Sequence, residues 1–138
     1  MQTIVYTPGV WDLLHVGHVR YLKMARALGD KLIVGVPSDA VVIEDKGKAP
    51  VIPLEDRLTM LSALRCVDLA VPYHKLEFLT HLQMFNPHIL AVGEMWGNSM
   101  RHLDAQRWIH SNSRQMIKIP YYSKESSTNI KNRIRNVI

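Results

Sequence analysis

The stretch Thr3-Ile4-Val5-Tyr6-Thr7-Pro8-Gly9-Val10-Trp11-Asp12-Leu13-Leu14-His15-Val16-Gly17-His18 opens apolar and β-branched and closes helical. Thr3 to Thr7 alternates and branches as a strand does, and Thr7-Pro8-Gly9 breaks it. From Val16 to Leu28 the apolar residues Val19, Leu22, Ala25 and Leu28 recur at threes, while Arg20, Lys23 and Arg26 fall on another side, so a helix is predicted there. Gly29-Asp30 ends it. A strand that passes through a glycine-containing turn into a helix is the first part of a βαβ unit.

The same alternation continues outward. Lys31 to Val36 reads as a strand stopped by Pro37-Ser38-Asp39, and Glu44-Asp45-Lys46-Gly47-Lys48-Ala49-Pro50 as a polar loop. Pro53 opens a helix that carries Leu54, Leu58, Leu61 and Leu64, with Glu55 and Asp56 in its first turn. Strands are expected at Asp68 to Val71, His88 to Val92 and Gln115 to Ile119. Helices are expected at Leu76 to Phe85, Met100 to His110 and Ser127 to Val137. The predicted class is α/β, one domain over residues 1–138: a Rossmann-like open parallel sheet of about five strands with helices on both faces. In such sheets ligands sit beyond the carboxyl ends of the strands, where strand order reverses.

Composition narrows the function. The chain has 138 residues, 47% hydrophobic and 21% charged, enough to bury one core. No apolar run is long enough to cross a bilayer, and the first residues lack the pattern of a secretion signal, so a cytoplasmic protein without a membrane partner is expected. The lone Cys66 reads as a small buried hydrophobe rather than a nucleophile. The net charge of +5 favours an anionic partner. Lys118, Lys124, Lys131, Arg133 and Arg135 concentrate near one end, read mainly as a solvated face, and no basic stretch is interleaved with stacking aromatics, so nucleic acid is not the expected partner.

The chemistry concentrates between the first strand and helix. His15 and His18 are three apart, so one turn presents both rings on one side. The helix start adds unpaired N–H groups, and Gly17 lets an anion approach the backbone. The residues alone allow a polyphosphate site, a pair of metal ligands with no third ligand in view, or two structural histidines.

The segment Gly9, Trp11, Asp12, His15, Gly17, His18 resembles the G-x-F-D-x-x-H-x-G-H motif of the cytidylyltransferase-like nucleotidyltransferases, with Trp11 in place of phenylalanine. The likeness runs on. Lys46-Gly47-Lys48 with Pro53 to Arg57 is similar to that family's lysine loop and following helix, and Val67-Asp68 to a recurrent pair. Gly93-Glu94-Met95-Trp96 resembles a segment of glycerol-3-phosphate cytidylyltransferase, and Ser126-Ser127-Thr128-Asn129-Ile130 the I-S-T-T-x-I signature. One departure stands out: the R-T-E-G stretch of the alcohol-phosphate enzymes is here Tyr121-Tyr122-Ser123-Lys124. Heptose-phosphate adenylyltransferases also lack that arginine and end in a similar S-T-T-N-I.

The resemblance implies an enzyme that joins a nucleoside monophosphate to a phosphorylated alcohol or sugar and releases pyrophosphate, with CTP preferred and ATP as competitor. An adenylyltransferase acting on a heptose-type sugar phosphate or FMN, and a nucleotide-binding domain without catalysis, are the alternatives. It implies His15, His18 and Lys46 as catalytic residues. Nucleotide contacts would come from Gly9, Val10, Trp11, Gly17, Lys48, Gly93, Glu94, Trp96, Ser126, Ser127 and Thr128. Substrate contacts would come from Asp12, Lys46, Arg57, Asp68 and Lys124. Mg²⁺ is expected to arrive with the nucleotide rather than in a protein cage, and a homodimer is expected because relatives are often dimers. The acceptor phosphate is already an anionic nucleophile, so catalysis needs positioning and charge stabilisation rather than a strong base.

Overall fold

The computed structural model describes residues 1–122 and 124–137. In chain order the elements are β1 (Ile4–Pro8), α1 (Val16–Arg26), β2 (Lys31–Pro37), α2 (Asp39–Lys46), α3 (Leu54–Ser62), β3 (Leu69–Tyr73), α4 (Leu79–Phe85), β4 (Ile89–Gly93), α5 (Met100–Ser111), β5 (Gln115–Ile119) and α6 (Ser127–Val137). The strands form one sheet in the order β3-β2-β1-β4-β5, every neighbour parallel. The predicted Rossmann-like α/β class is the one found.

The strand period of two sends neighbouring side chains to opposite faces. Val5, Leu32 and Ile89 pack on one face with Leu22 and Ala25 of α1 and Leu61 of α3. Tyr6, Ile33 and Leu90 pack on the other with Leu82 of α4 and Ala105 and Ile109 of α5. Both faces are therefore covered, as the near-continuous apolar runs of β2 and β4 require. Gly35 of β2 is demanded by this packing. A Cβ there would overlap the hydroxyl of the fully buried Tyr6, which hydrogen-bonds His81 Nδ1 at 2.7 Å.

The register opens the site. β1 pairs with β2 along its whole length, from Ile4 with Lys31 to Pro8 with Gly35. It pairs with β4 only at Val5–Ile89 and Tyr6–Leu90. The order also reverses between these two strands, so the crevice forms beyond Pro8 and Gly93.

Sequence and structure part over residues 39–46. The stretch from Glu44 was expected as loop, yet α2 runs to Lys46. Ser38 caps it by accepting the Val41 N–H at 3.2 Å, and Gly47 ends it at φ 80°. Val41 and Val42 are buried beneath it, and that tertiary burial outweighs their modest helix propensity. Among the described residues no helix is long and apolar enough to cross a membrane.

Candidate active site

The carboxyl ends of β1, β2 and β4 open into a cleft with two lobes. The larger, of about 780 Å³, lies over the N-termini of α1 and α6. The smaller, of about 310 Å³, reaches past the ends of β2 and β3 toward α2 and the start of α5. Gly9, Lys46, Gly93 and Tyr121 line both.

The floor of the larger lobe is the histidine pair. His15 is the N-cap of α1, and its Nδ1 accepts the Gly17 N–H at 3.0 Å. His18 reaches back, and its Nδ1 accepts the His15 N–H at 3.2 Å. Two imidazoles thus fill the reciprocal roles of a capping box. Each neutral ring uses Nδ1 as an acceptor, so its proton sits on Nε2, the nitrogen left for a ligand. The ring centroids are 3.9 Å apart. Burial lowers the pKa of both, with Glu125 opposing the shift at His15. His18 falls to about 4, because the His15 ring adds to the burial. At neutral pH the pair therefore presents uncharged N–H donors beside the free amides of a helix start. A Cβ on Gly17 would stand 2.7 Å from His15 Cε1 and 3.4 Å from the Glu125 carbonyl oxygen, so glycine is the residue that fits.

The loop before α1 is strained and held from all sides. Trp11 and Leu13 take φ of 61° and 51°, the left-handed region that side chains disfavour. The Trp11 indole N–H donates to the Gly35 carbonyl at 3.0 Å, and the ring lies against His18, centroids 5.6 Å apart. Asp12 accepts the amides of Val51 and Ile52 at 2.8 and 2.9 Å, and its carbonyl accepts the Ser127 hydroxyl at 2.8 Å. Arg57, fully buried, donates to the carbonyls of Val10 and Ile52, both at 2.9 Å, and to Asp39 at 2.7 Å.

These contacts revise several expectations. Arg57 does not face a substrate; its guanidinium is sealed and fastens α2 and α3 to the loop. Asp68 lies at the amino end of β3, the far side of the sheet, where it accepts the Leu32 N–H at 2.7 Å and pairs with Arg26 at 3.1 Å. Lys124 is exposed and lines neither lobe. Glu94 is exposed and accepts the Tyr121 N–H, outside the cleft lining. Lys46 ends a helix instead of riding a loop. Asp12 lines the cleft, but its carboxylate is committed to Val51 and Ile52. The Ser127 hydroxyl proton is spent on Asp12, so toward a ligand that residue offers only oxygen lone pairs and its amide.

Other expected residues do converge. Val10, Lys48, Ser126 and Thr128 line the larger lobe with the histidines, and Trp96 lines the smaller one. Ser126 caps α6 by accepting the Asn129 N–H at 3.0 Å. The reading along the chain missed Glu125 and Lys131 in the larger lobe and Phe78, Arg101 and His102 in the smaller. Lys131 was legible, three residues beyond Thr128 and hence on the same side of α6. The others sit just past strand ends or in the first turn of α5, and only the sheet order brings them together. Cys66 is half-buried and burial raises its thiol pKa, in keeping with an unreactive side chain.

The family model described as cytidylyltransferase-like matches residues 6–133. The bifunctional protein HldE of Pelobacter propionicus is 46% identical over 93 residues, 67% of this chain and 19% of that protein, so the chain spans about a fifth of its length. The FAD synthase of Pyrococcus abyssi is 38% identical over 122 residues, 88% of this chain and 82% of that one. Among solved structures, the lipopolysaccharide core biosynthesis protein of Thermoplasma volcanium superposes with a TM-score of 0.72 at 27% identity, covering 91% of this chain and all of its own. With the paired imidazoles at the head of α1 and the match over nearly its whole length, this chain belongs to the cytidylyltransferase-like family of nucleotidyltransferases.

Proposed function

We propose that the chain is an adenylyltransferase that moves AMP from ATP to a phosphorylated acceptor. One observation carries the reading: two neutral Nε2–H donors sit at a helix start in a cleft whose opposite wall is the N-terminus of α6. An acceptor phosphate oxygen attacks the α-phosphorus in line. The bond from the α-phosphorus to the bridging oxygen breaks, and pyrophosphate leaves with the electron pair. No proton has to be removed from the attacking phosphate. His15 and His18 donate to the phosphate oxygens, where charge grows in the transition state. Lys46, shared by both lobes, neutralises donor and acceptor phosphates together, with Lys48 at the rim. The β- and γ-phosphates extend to the α6 amides, Thr128 and Lys131.

ATP is favoured over the CTP expected from Gly93-Glu94-Met95-Trp96. The Glu94 carboxylate of that segment is turned to the Tyr121 amide, and the relatives named above are HldE and an FAD synthase. The missing arginine before Ser127-Thr128-Asn129-Ile130 points the same way. The carboxylates lining the larger lobe are already engaged, Asp12 by two amides and Glu125 by the Ser126 N–H and Arg133. Mg²⁺ would therefore be held by phosphate oxygens and water, which suits its preference, and would supply charge neutralisation there.

The test crosses ATP and CTP with sugar 1-phosphates, FMN and glycerol 3-phosphate and measures pyrophosphate release. Release with ATP is expected. CTP-dependent release with glycerol 3-phosphate and none with ATP would overturn the choice of donor, and a nucleotide that binds without any release would favour a non-catalytic domain.

A further inference from the structure

We infer that Arg101 is a positioning residue for the transfer: through Asp45 it fixes the last turn of α2, and with it the place of Lys46. The inference rests on the transferase reading above and adds a residue to it.

Both charges are set against their own helices. Asp45 stands in the last turn of α2, where the helix end is already negative, and Arg101 in the first turn of α5, where it is already positive. Alone, each weakens the element that carries it. No acidic residue in the first turn of α5 serves Arg101. The two meet across the smaller lobe, which both line. Arg101 Nη2 donates to Asp45 Oδ1 at 2.9 Å, with the side chains 19% and 27% exposed. A pair that breaks the local rule on two helices, and is satisfied only between them, serves the gap it spans.

What it holds is Lys46. The start of α2 is well fastened: Val41 and Val42 are buried, Ser38 caps it and Arg57 binds Asp39. The other end runs out over the cleft. Glu44, Lys46, Gly47 and Lys48 are exposed, and a Cβ on Gly47 would meet nothing within 4 Å. Among the described residues, the bond from Arg101 is the only side-chain hydrogen bond or ion pair made by residues 43–50. Lys46 follows Asp45 directly and lines both lobes. Its long stem has many rotamers, so a loosened turn beneath it would scatter the ammonium over more space than the reaction tolerates. An ion pair this close to solvent adds little to stability, so its effect belongs in turnover.

The experiment substitutes the pair in the whole chain and follows pyrophosphate release from ATP, with the acceptor that gives it in the screen above. Arg101→Gln and Asp45→Asn change the net charge in opposite directions, so an effect of the overall field would move their rates apart. Positioning moves them together. Both should lose about tenfold or more in kcat, with the KM for ATP and the urea midpoint close to the parent's. In a Lys46→Ala background, assayed at high enzyme concentration, Arg101→Gln should cost nothing further. An unchanged kcat in either single variant overturns the inference. A loss that persists in full without Lys46 does so too, because Arg101 would then touch the substrate itself. So does a urea midpoint that falls in step with kcat, because the pair would then hold the fold. If the parent releases no pyrophosphate with any acceptor, the transferase reading falls and ATP affinity by calorimetry becomes the readout. A loss of affinity in both single variants that vanishes without Lys46 keeps the positioning role, and unchanged affinity removes it.

Discussion

His15 carries two duties that substitution can separate. Its Nδ1 caps α1, and its Nε2 faces the cleft. Asparagine is an equally good cap but lacks the second donor in that place. His15→Asn should therefore unfold in urea within about 0.5 kcal/mol of the parent. Its kcat should nevertheless fall by about 10²–10³, the usual cost of losing one donor to growing charge. A variant that keeps its turnover would strip His15 of its role. His18 makes a second, pH-dependent prediction. Its pKa is about 4 folded and near 6.5 unfolded. Between those values the unfolded chain binds more protons, so stability falls as pH drops from about 6.5 to about 4, by up to about 3 kcal/mol from this group. Urea unfolding at a series of pH values should show the loss, and His18→Asn should remove its share, leaving the part due to His15, His81 and His102, whose pKa values burial also lowers. The motif itself was legible in the sequence. What was hidden is that both imidazoles spend Nδ1 on the backbone, because that depends on ring orientation rather than spacing.

At the level of elements, Arg57 shows how residue type can mislead. The family resemblance implied a substrate contact for this cation, and only the fold reveals that its three bonds run to Val10, Ile52 and Asp39. Arg57→Ala should cost about 3 kcal/mol in urea unfolding, because two carbonyls and a carboxylate lose their donor. Arg57→Lys should recover little of it, since an ammonium cannot reach three directions from one fork. Full stability in either variant would contradict the fastening role. The helix α2 was missed for a related reason. Its Ser38 cap, Asp39 and closing Gly47 were present to be read, but the β-branched run Val41-Val42-Ile43 and the charged run Glu44-Asp45-Lys46 between them argue for no particular state without the sheet beneath.

For the whole molecule, the alternation of strands and helices was readable from Thr3 to Val137, and it sufficed for the class and for the end of the sheet that holds the cleft. The order β3-β2-β1-β4-β5 was not spelled out by any local pattern, and the second lobe depends on that order. The net charge of +5 acts at this scale too. Attraction of a polyphosphate to a basic molecule weakens as salt shortens the screening length. The KM for ATP should rise severalfold between about 0.05 M and about 0.5 M KCl, with kcat changing little. A KM indifferent to salt would mean that contact geometry, not the overall field, draws the nucleotide in.

The two lobes share Pro8, Gly9, Val10, Val42, Lys46, Gly93 and Tyr121. The rest of the lining lies on separate stretches of chain, that of the larger lobe mainly near α1 and α6, that of the smaller on α2, the β3 exit and α5. Exchange of Tyr73 to Phe78 with Met95 to His102 would therefore reshape one lobe while the paired imidazoles keep their seat at the head of α1.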